Sequence, residues 1–299
     1  MTGRAPVTPT VAPESVSLRG KVAVVTGSTS GIGRVVAQAL AARGATTVVI
    51  GRKSERAEAS ANEIARATQN PNVFPIAVTD LALRSEAHRL VSVLRDQHPS
   101  IDVLVNNAGA YIHRREVTTE GLERTFALNV LAPFILTSGL ADCLAAAAPS
   151  RVIQVSSEAH RGRRVDFDDL QSAHGYRGFR TYGRSKLELI LLTREFARRL
   201  RERGVSVNAV HPGFVASGFG RNNPGAVGIG LGVLSTLFGR NVRRGADPLV
   251  FAATDPSLAT TTGEYLAQHH VGRGSAASQD DVSARRLFDA CAALSAEAP

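Results

Sequence analysis

Tyr182 and Lys186, in the stretch TYGRSKLEL (181–189), stand four residues apart with Arg184 halfway between them. On a helix, positions i and i+4 share a face, whereas i+2 points elsewhere. The lysine is therefore the cation that the phenol would feel. A free phenol ionises near pH 10, too high for a useful base at neutral pH. A nearby ammonium favours the phenolate, and a tyrosine tuned toward the working pH can give or take a proton. Taken alone, such a pair is more often structural than chemical.

Other polar residues fall where they could serve the same chemistry. RVIQVSS (151–157) has the β-branched character of a buried strand and ends in Ser156 and Ser157. The carboxyl edge of an open parallel sheet is where such folds bind ligands. A serine hydroxyl there can hydrogen-bond a carbonyl oxygen as it gains negative charge. LVNNAG (104–109) ends another strand in the same manner, bringing Asn107, Ala108 and Gly109 to that edge. Asn129, in LNVLAPF (128–134), interrupts an apolar helical stretch. A buried amide is costly unless paired, so Asn129 is expected to hold a backbone group or a water.

TGSTSGIG (26–33) lies between the first strand and the first helix. Gly27 allows a tight turn off the strand, while Gly31 and Gly33 allow close backbone approach to a pyrophosphate and close helix–sheet packing. The helix start then offers unpaired N–H groups and partial positive charge to phosphates. The spacing is GxxxGxG, not the GxGxxG of the usual dinucleotide fingerprint. After the second strand the chain reads VVIGRKSE, with Arg52 and Lys53 together and no acid at the strand end. A carboxylate there would suit the ribose hydroxyl of NAD(H). A guanidinium suits the 2′-phosphate of NADP(H), which is therefore the favoured cofactor.

The elements that must position these groups are legible as a rhythm. Candidate strands are 21–26, 46–51, 72–78, 101–107, 151–157 and 204–210, with GEYLAQ (263–268) a weaker seventh. Their nearly continuous apolar character suggests strands covered on both faces. Helical stretches such as GIGRVVAQALAARG separate them, arguing for right-handed βαβ units in one sheet. The expected fold class is α/β, a single Rossmann-type doubly wound domain with a seven-stranded parallel sheet flanked by helices. Residues 1–17, rich in Pro, Thr and Ala, read as a disordered extension, and 18–299 as one domain. Residues 214–245 are glycine-rich and apolar without a strand pattern, as expected of a lid over an apolar ligand. Residues 279–294 form an amphipathic helix whose Val282, Leu287, Cys291 and Leu294 suit core or subunit contact.

Taken together and in this order, TGSTSGIG, NNAG, Asn129, VSS, YGRSK and HPG (211–213) resemble the short-chain dehydrogenase/reductase family over about residues 18–294. The resemblance implies a catalytic set of Asn129, Ser157, Tyr182 and Lys186. Tyr182 would be the general acid/base, Ser157 would steady the substrate oxygen, and Lys186 would bind the nicotinamide ribose and lower the tyrosine pKa. Asn129 would anchor a water in a proton relay. It also implies cofactor contacts at Gly27, Ser28, Ser30, Gly31, Ile32, Gly33, Arg52, Lys53, Asp80, Leu81, Asn107, Ala108 and Gly109. Tyr182, Lys186, Pro212, Gly213 and Val215 would complete that surface. The long gap between Ser157 and Tyr182, with SSEAH, LTREFARRL and VHPGFV, resembles the retinol-dehydrogenase-like branch, which commonly uses NADP and accepts lipophilic alcohols or carbonyls. Its membrane-bound members carry a hydrophobic N-terminal anchor that residues 1–17 do not resemble. Family precedent points to a homodimer or homotetramer through the long helices.

Composition narrows the alternatives. Hydrophobic residues make up 43% of the 299-residue chain and the net charge is +9. No apolar run reaches the ~18–20 residues that span a bilayer, so membrane insertion is not expected. The densest basic run, REFARRLRERG (194–204), falls at a helix C-terminus, where cations suit the dipole. It carries no interleaved aromatics, so nucleic-acid binding is not expected. Two separated cysteines, Cys143 and Cys291, suit a reducing cytoplasm rather than a disulfide framework. The eight histidines, including the adjacent pair 269–270, lack metal-ligand spacing, and no metal is expected. The competing readings are a dinucleotide-binding sensor without catalysis and a sugar epimerase or dehydratase, the latter normally carrying a larger substrate domain.

Overall fold

The structure, a computed structural model, describes residues 16–213 and 242–296. Residues 1–15 of the expected N-terminal extension, Val215 and most of the expected lid lie outside the described residues. Strand β1 (Val22–Val25) leads through the glycine turn into helix α1 (Gly31–Ala42), and β2 (Thr46–Gly51) into α2 (Ser54–Thr68). Strand β3 (Val73–Ala77) is followed by α3 (Arg84–Gln97), and β4 (Val103–Asn106) by the segment carrying Asn129. Then come β5 (Ser150–Val155), the 23-residue helix α7 (Gly178–Leu200) and β6 (Val205–His211).

The strands form one sheet in the order β3-β2-β1-β4-β5-β6-β7-β8. Pairings from β3 through β7 are all parallel. Among the described residues the sheet holds the expected seven parallel strands and one more. After β7 (Tyr265–Ala267) the chain reverses through Gln268, at φ 57°, and pairs back antiparallel as β8 (His270–Gly272). Three-residue strands joined by a left-handed non-glycine turn leave little periodic signal. One of the two adjacent histidines, His269, lies in that turn and meets Asp247 at 2.7 Å. Strand order reverses between β1 and β4, and the crevice beyond their carboxyl ends is where an open sheet takes a ligand.

The central strands are buried on both faces, as their unbroken apolar runs require. Val24 and Val25 of β1, Val48 and Val49 of β2 and Leu104 and Val105 of β4 are each fully buried. Each such side chain contributes about 1.5–3 kcal/mol relative to an exposed one. Helix α7 is buried almost all round. One side packs on the sheet, and the other is covered by the terminal helix α9 (Asp281–Ala296) through the rings of Phe134, Phe196 and Phe288. On α9, Ala284, Leu287 and Cys291 form the buried stripe. Val282, expected at a core or subunit contact, lies outside that stripe and is 68% exposed. Five residues from Leu287, it falls about 140° around the helix from it. Helix α8 (Val242–Thr254) packs on α1 and on β5 and β6.

Between β4 and β5 the chain builds a broken helix. It comprises α4 (Arg124–Phe126), a π-helical turn (Ala127–Leu131), α5 (Ala132–Gly139) and α6 (Ala141–Ala146). Such π turns are frequent at functional sites, and this one carries Asn129. Glu123 caps its start by accepting from the N–H groups of Thr125 and Phe126 at 2.7 and 2.8 Å.

Candidate active site

Strand ends β1 and β4 and the start of α1 form one rigid corner. The Thr26 hydroxyl accepts from the N–H groups of Asn107 and Ala108 at 3.0 and 2.9 Å. The Asn107 amide donates back to the Thr26 carbonyl at 2.8 Å. Gly27 and Gly31 both take positive φ, 64° and 57°, the region open to glycine without strain. A β-carbon on Gly33 would stand 2.3 Å from Asn107 Nδ2 and 2.6 Å from the Gly27 carbonyl oxygen. Ser30 begins α1 without a side-chain capping bond, and the first turn, with Ile32, carries no acid. Its first N–H groups are therefore left without a side-chain cap, with positive dipole charge and no first-turn carboxylate to oppose a phosphate. These features fit the pyrophosphate of a dinucleotide.

Ser28 is different. It is fully buried, donates to the Val25 carbonyl at 2.7 Å and accepts from Ile50 N–H at 3.0 Å. Its side chain ties the turn to β2 rather than facing the crevice. Arg52 and Lys53 extend from the end of β2 into solvent. Asp80, half-buried after β3, accepts from Ala82 N–H at 3.0 Å and pairs with Arg124. Leu81 is buried in the core, leaving its backbone at the edge. Pro212 and Gly213 follow β6 at the same edge, both half-buried.

Beside this corner sits the phenol. Tyr182 and Lys186 are both buried, with Lys186 Nζ 5.7 Å from the Tyr182 ring centre. Lys186 Nζ donates to the Val155 carbonyl at 2.8 Å, and burial lowers its pKa to about 8. The Ser157 hydroxyl hydrogen-bonds the phenol. Ser157 also accepts from Ala159 N–H at 3.2 Å, which directs its own proton toward the phenol oxygen. Ser156 instead turns inward and donates to the Lys186 carbonyl at 3.1 Å. Arg184 points away, donating to the carbonyls of Asp169 and Leu170 at 2.9 and 2.7 Å.

Burial pushes the Tyr182 phenol well above its ordinary value, and the Ser157 hydrogen bond only partly offsets this.

Asn129 does hold backbone. Its Oδ1 accepts from Ala110 N–H at 2.9 Å, while Nδ2 donates to the Ala110 carbonyl and to Ser185 Oγ, both at 3.0 Å. Ser185 in turn donates to the Tyr182 carbonyl at 2.7 Å. The amide therefore locks the segment after NNAG to helix α7. A β-carbon on Gly109 would lie 3.1 Å from Asn129 Oδ1 and 3.4 Å from Lys186 Nζ, so these two groups flank one small space. Thr26 and Ser185 join the site without a motif that marks them in the sequence. Their signals are only a hydroxyl at a strand end and a small polar residue at i+3 from Tyr182.

Tyr111 stands edge-on to Tyr182, with ring centres 6.3 Å apart. Among the described residues no helix is long and apolar enough to cross a membrane. Among the same residues no cluster of three His, Cys, Asp or Glu side chains gathers as metal ligands.

Comparison with known proteins agrees with this geometry. Residues 21–227 match the family model described as short chain dehydrogenase. Human retinol dehydrogenase 13 is 35% identical over 294 residues, covering 96% of this chain and 88% of its own. A protein of Streptomyces sp. (strain C5), named as a candidate daunorubicin C-13 ketoreductase, is 37% identical, with 92% and 93% covered. A short chain dehydrogenase from Burkholderia cenocepacia, solved in complex with NADP, superposes with a TM-score of 0.63 at 26% identity, over 84% of this chain and 96% of that one. The chain belongs to the short-chain dehydrogenase/reductase family of oxidoreductases and is retinol-dehydrogenase-like within it.

Proposed function

We propose that the protein is an NADP(H)-preferring alcohol dehydrogenase or carbonyl reductase acting on an apolar substrate. One observation carries the reading: a buried tyrosine, hydrogen-bonded to Ser157 just past β5 and flanked by the buried Lys186, stands at the sheet edge that also carries an uncapped helix start. Gly27, Ser30, Gly31, Ile32 and Gly33 would hold the pyrophosphate, with Ser28 bracing their turn from behind. Arg52 and Lys53 would take the 2′-phosphate, Asp80 and Leu81 the adenine, and Asn107, Ala108 and Gly109 the riboses. Lys186 would bind the nicotinamide ribose, with Pro212, Gly213 and Val215 beside the ring. The cofactor, when bound, supplies or accepts the hydride.

The chain's own residues handle the proton. In the reducing direction Tyr182 gives its hydroxyl proton to the substrate oxygen as that oxygen becomes an alkoxide. Ser157 donates a hydrogen bond to the same oxygen, a form of stabilisation that preorganised donors supply most effectively. Lys186 steadies the phenolate left behind. Asn129, beside it across Gly109, would hold the water that returns the proton. Raised by burial, the phenol carries its proton at neutral pH, the form that carbonyl reduction needs.

The substrate class is read from Tyr111, whose half-buried ring forms an apolar wall against Tyr182, and from the lipophilic compounds in the names of the relatives. A homodimer or homotetramer would pair through surfaces other than the outer side of α7, because α9 of the same chain covers it.

Tyr182→Phe removes only the hydroxyl. Turnover of an apolar aldehyde or ketone with NADPH is expected to fall at least about 100-fold, within the range for general acid catalysis, with NADPH affinity retained. Turnover near that of the wild type would remove the mechanism, and NADPH binding without turnover in the wild type would favour a sensor.

A further inference from the structure

The turn that carries Ser157 is clamped by a residue that plays no part in the chemistry described so far. His160 follows Ser157 by three residues in a short 3₁₀ turn (Glu158–His160) and is fully buried. Its Nδ1 lies 2.7 Å from the Ser157 carbonyl oxygen. Its Nε2 lies 3.1 Å from the backbone N–H of Ser275, 115 residues further along the chain. A carbonyl oxygen only accepts and a backbone N–H only donates, so the two contacts dictate the tautomer. The proton sits on Nδ1, Nε2 is bare, and the ring is neutral. Burial agrees with this, pushing the imidazole pKa down.

The ring packs against Tyr265 with centres 4.9 Å apart. Around it, the same turn is fastened to the same C-terminal tail twice more. Tyr265 donates its hydroxyl to Glu158 at 2.7 Å, and Arg161 donates to the Arg273 carbonyl at 2.7 Å. The tail formed by β7, β8 and the residues after them therefore fixes the serine turn, with His160 at the centre of the contact.

We infer that His160 is a positioning residue for Ser157: its bridge from the Ser157 carbonyl to Ser275 N–H sets where the serine hydroxyl stands relative to Tyr182. The inference rests on the proposed role of Ser157. A displacement of about 1 Å in a reacting group can cost on the order of 100-fold in rate, so a residue that never touches substrate can control turnover.

Two amide substitutions separate the two ends of the bridge. His160→Asn places an N–H donor where Nδ1 stands and keeps the Ser157 contact. His160→Gln reaches the Nε2 position and keeps an acceptor for Ser275. Steady-state kinetics with NADPH and a lipophilic ketone, NADPH affinity by fluorescence and thermal melts would be measured for both, for His160→Leu and for Ser157→Ala. We expect kcat to fall about 3-fold in the Asn variant, about 30-fold in the Gln variant and about 100-fold in the Leu variant. NADPH affinity should stay within about 2-fold throughout. A purely structural role predicts the reverse order of Asn and Gln, since Gln fills more of the ring's space. Equal losses in Asn and Gln, or losses that follow the melting temperature, would overturn the inference. Full turnover in Ser157→Ala would instead sink the role of the serine itself. Nitrogen-15 NMR of the unliganded wild type gives an activity-free check: the Nδ1–H tautomer is expected, and an Nε2–H or doubly protonated ring at neutral pH refutes the bridge.

Discussion

The cofactor corner and the serine turn sit on the same sheet edge but are built from different materials. The corner is made of glycines, strand-end backbone and two short polar side chains, Thr26 and Asn107. Its parts come from two strands that lie side by side in the sheet, β1 and β4, and the backbone pairing of those strands delivers them together. The serine turn has no such economy. It is held by ordinary residues reaching far along the chain: His160 to Ser275, Tyr265 to Glu158 and Arg161 to Arg273. On its other side it presses on α7 at Gly183. The difference implies two separable kinds of damage. Injury to the corner should abolish cofactor binding, whereas injury to the turn should spare binding and slow the chemistry.

The largest effect is expected from Gly33→Val. The β-carbon would fall 2.3 Å from Asn107 Nδ2 and 2.6 Å from the Gly27 carbonyl oxygen. The amide can rotate away, but the carbonyl is backbone and cannot. Helix α1 must back off from the strand ends, and its first N–H groups leave the positions that suit a pyrophosphate. NADPH affinity, followed by fluorescence titration, should fall at least about 100-fold, equivalent to roughly 2.7 kcal/mol. A variant that folds and binds NADPH normally would mean the cofactor lies elsewhere.

Gly183→Val attacks the turn instead. A β-carbon there would stand 2.4 Å from the Ala159 carbonyl oxygen and 2.9 Å from Arg163 Nε. The arginine can swing out, but the Ala159 carbonyl can move only with its turn, which carries Ser157 two residues earlier. Turnover should fall about 30-fold by misplacement of the serine, while NADPH affinity stays within about 2-fold of wild type. Equal losses of binding and turnover would show that the two regions are mechanically one.

The same contrast explains what the sequence disclosed. Strands β1 through β6 are readable to within a residue or two, five of them because buried parallel strands need unbroken apolar runs and the edge strand β3, largely exposed, from its apolar composition alone. The glycine turn, NNAG and the Tyr182–Lys186 spacing were readable because each satisfies a local geometric demand. What resisted reading depends on distant partners. Nothing near Ser157 indicates that the tail after β8 will meet His160. Nothing in LNVLAPF signals a π turn. Strand β8 has three residues and no alternation to detect.

The smallest effect, and the sharpest test of which dinucleotide the corner takes, lies at Arg52. The end of β2 offers this guanidinium and Lys53 to solvent, with no acid at the strand end and Glu55 already inside α2. A 2′-phosphate would find paired donors there, whereas an unmodified ribose would find no carboxylate to accept from its hydroxyl. Because the arginine is exposed, water and salt weaken the contact, and about tenfold is the expected loss of NADPH affinity in Arg52→Ala. NADH affinity should barely change, so the ratio of the two dissociation constants isolates the phosphate from the rest of the corner. The NADPH loss should shrink as ionic strength rises, because the Debye length falls from about 10 Å at 0.1 M to about 3 Å at 1 M. Parallel losses for both cofactors would mean that Arg52 supports the shape of the corner rather than reading the phosphate. No loss for either would place the 2′ position out of its reach and return the preference to NAD(H).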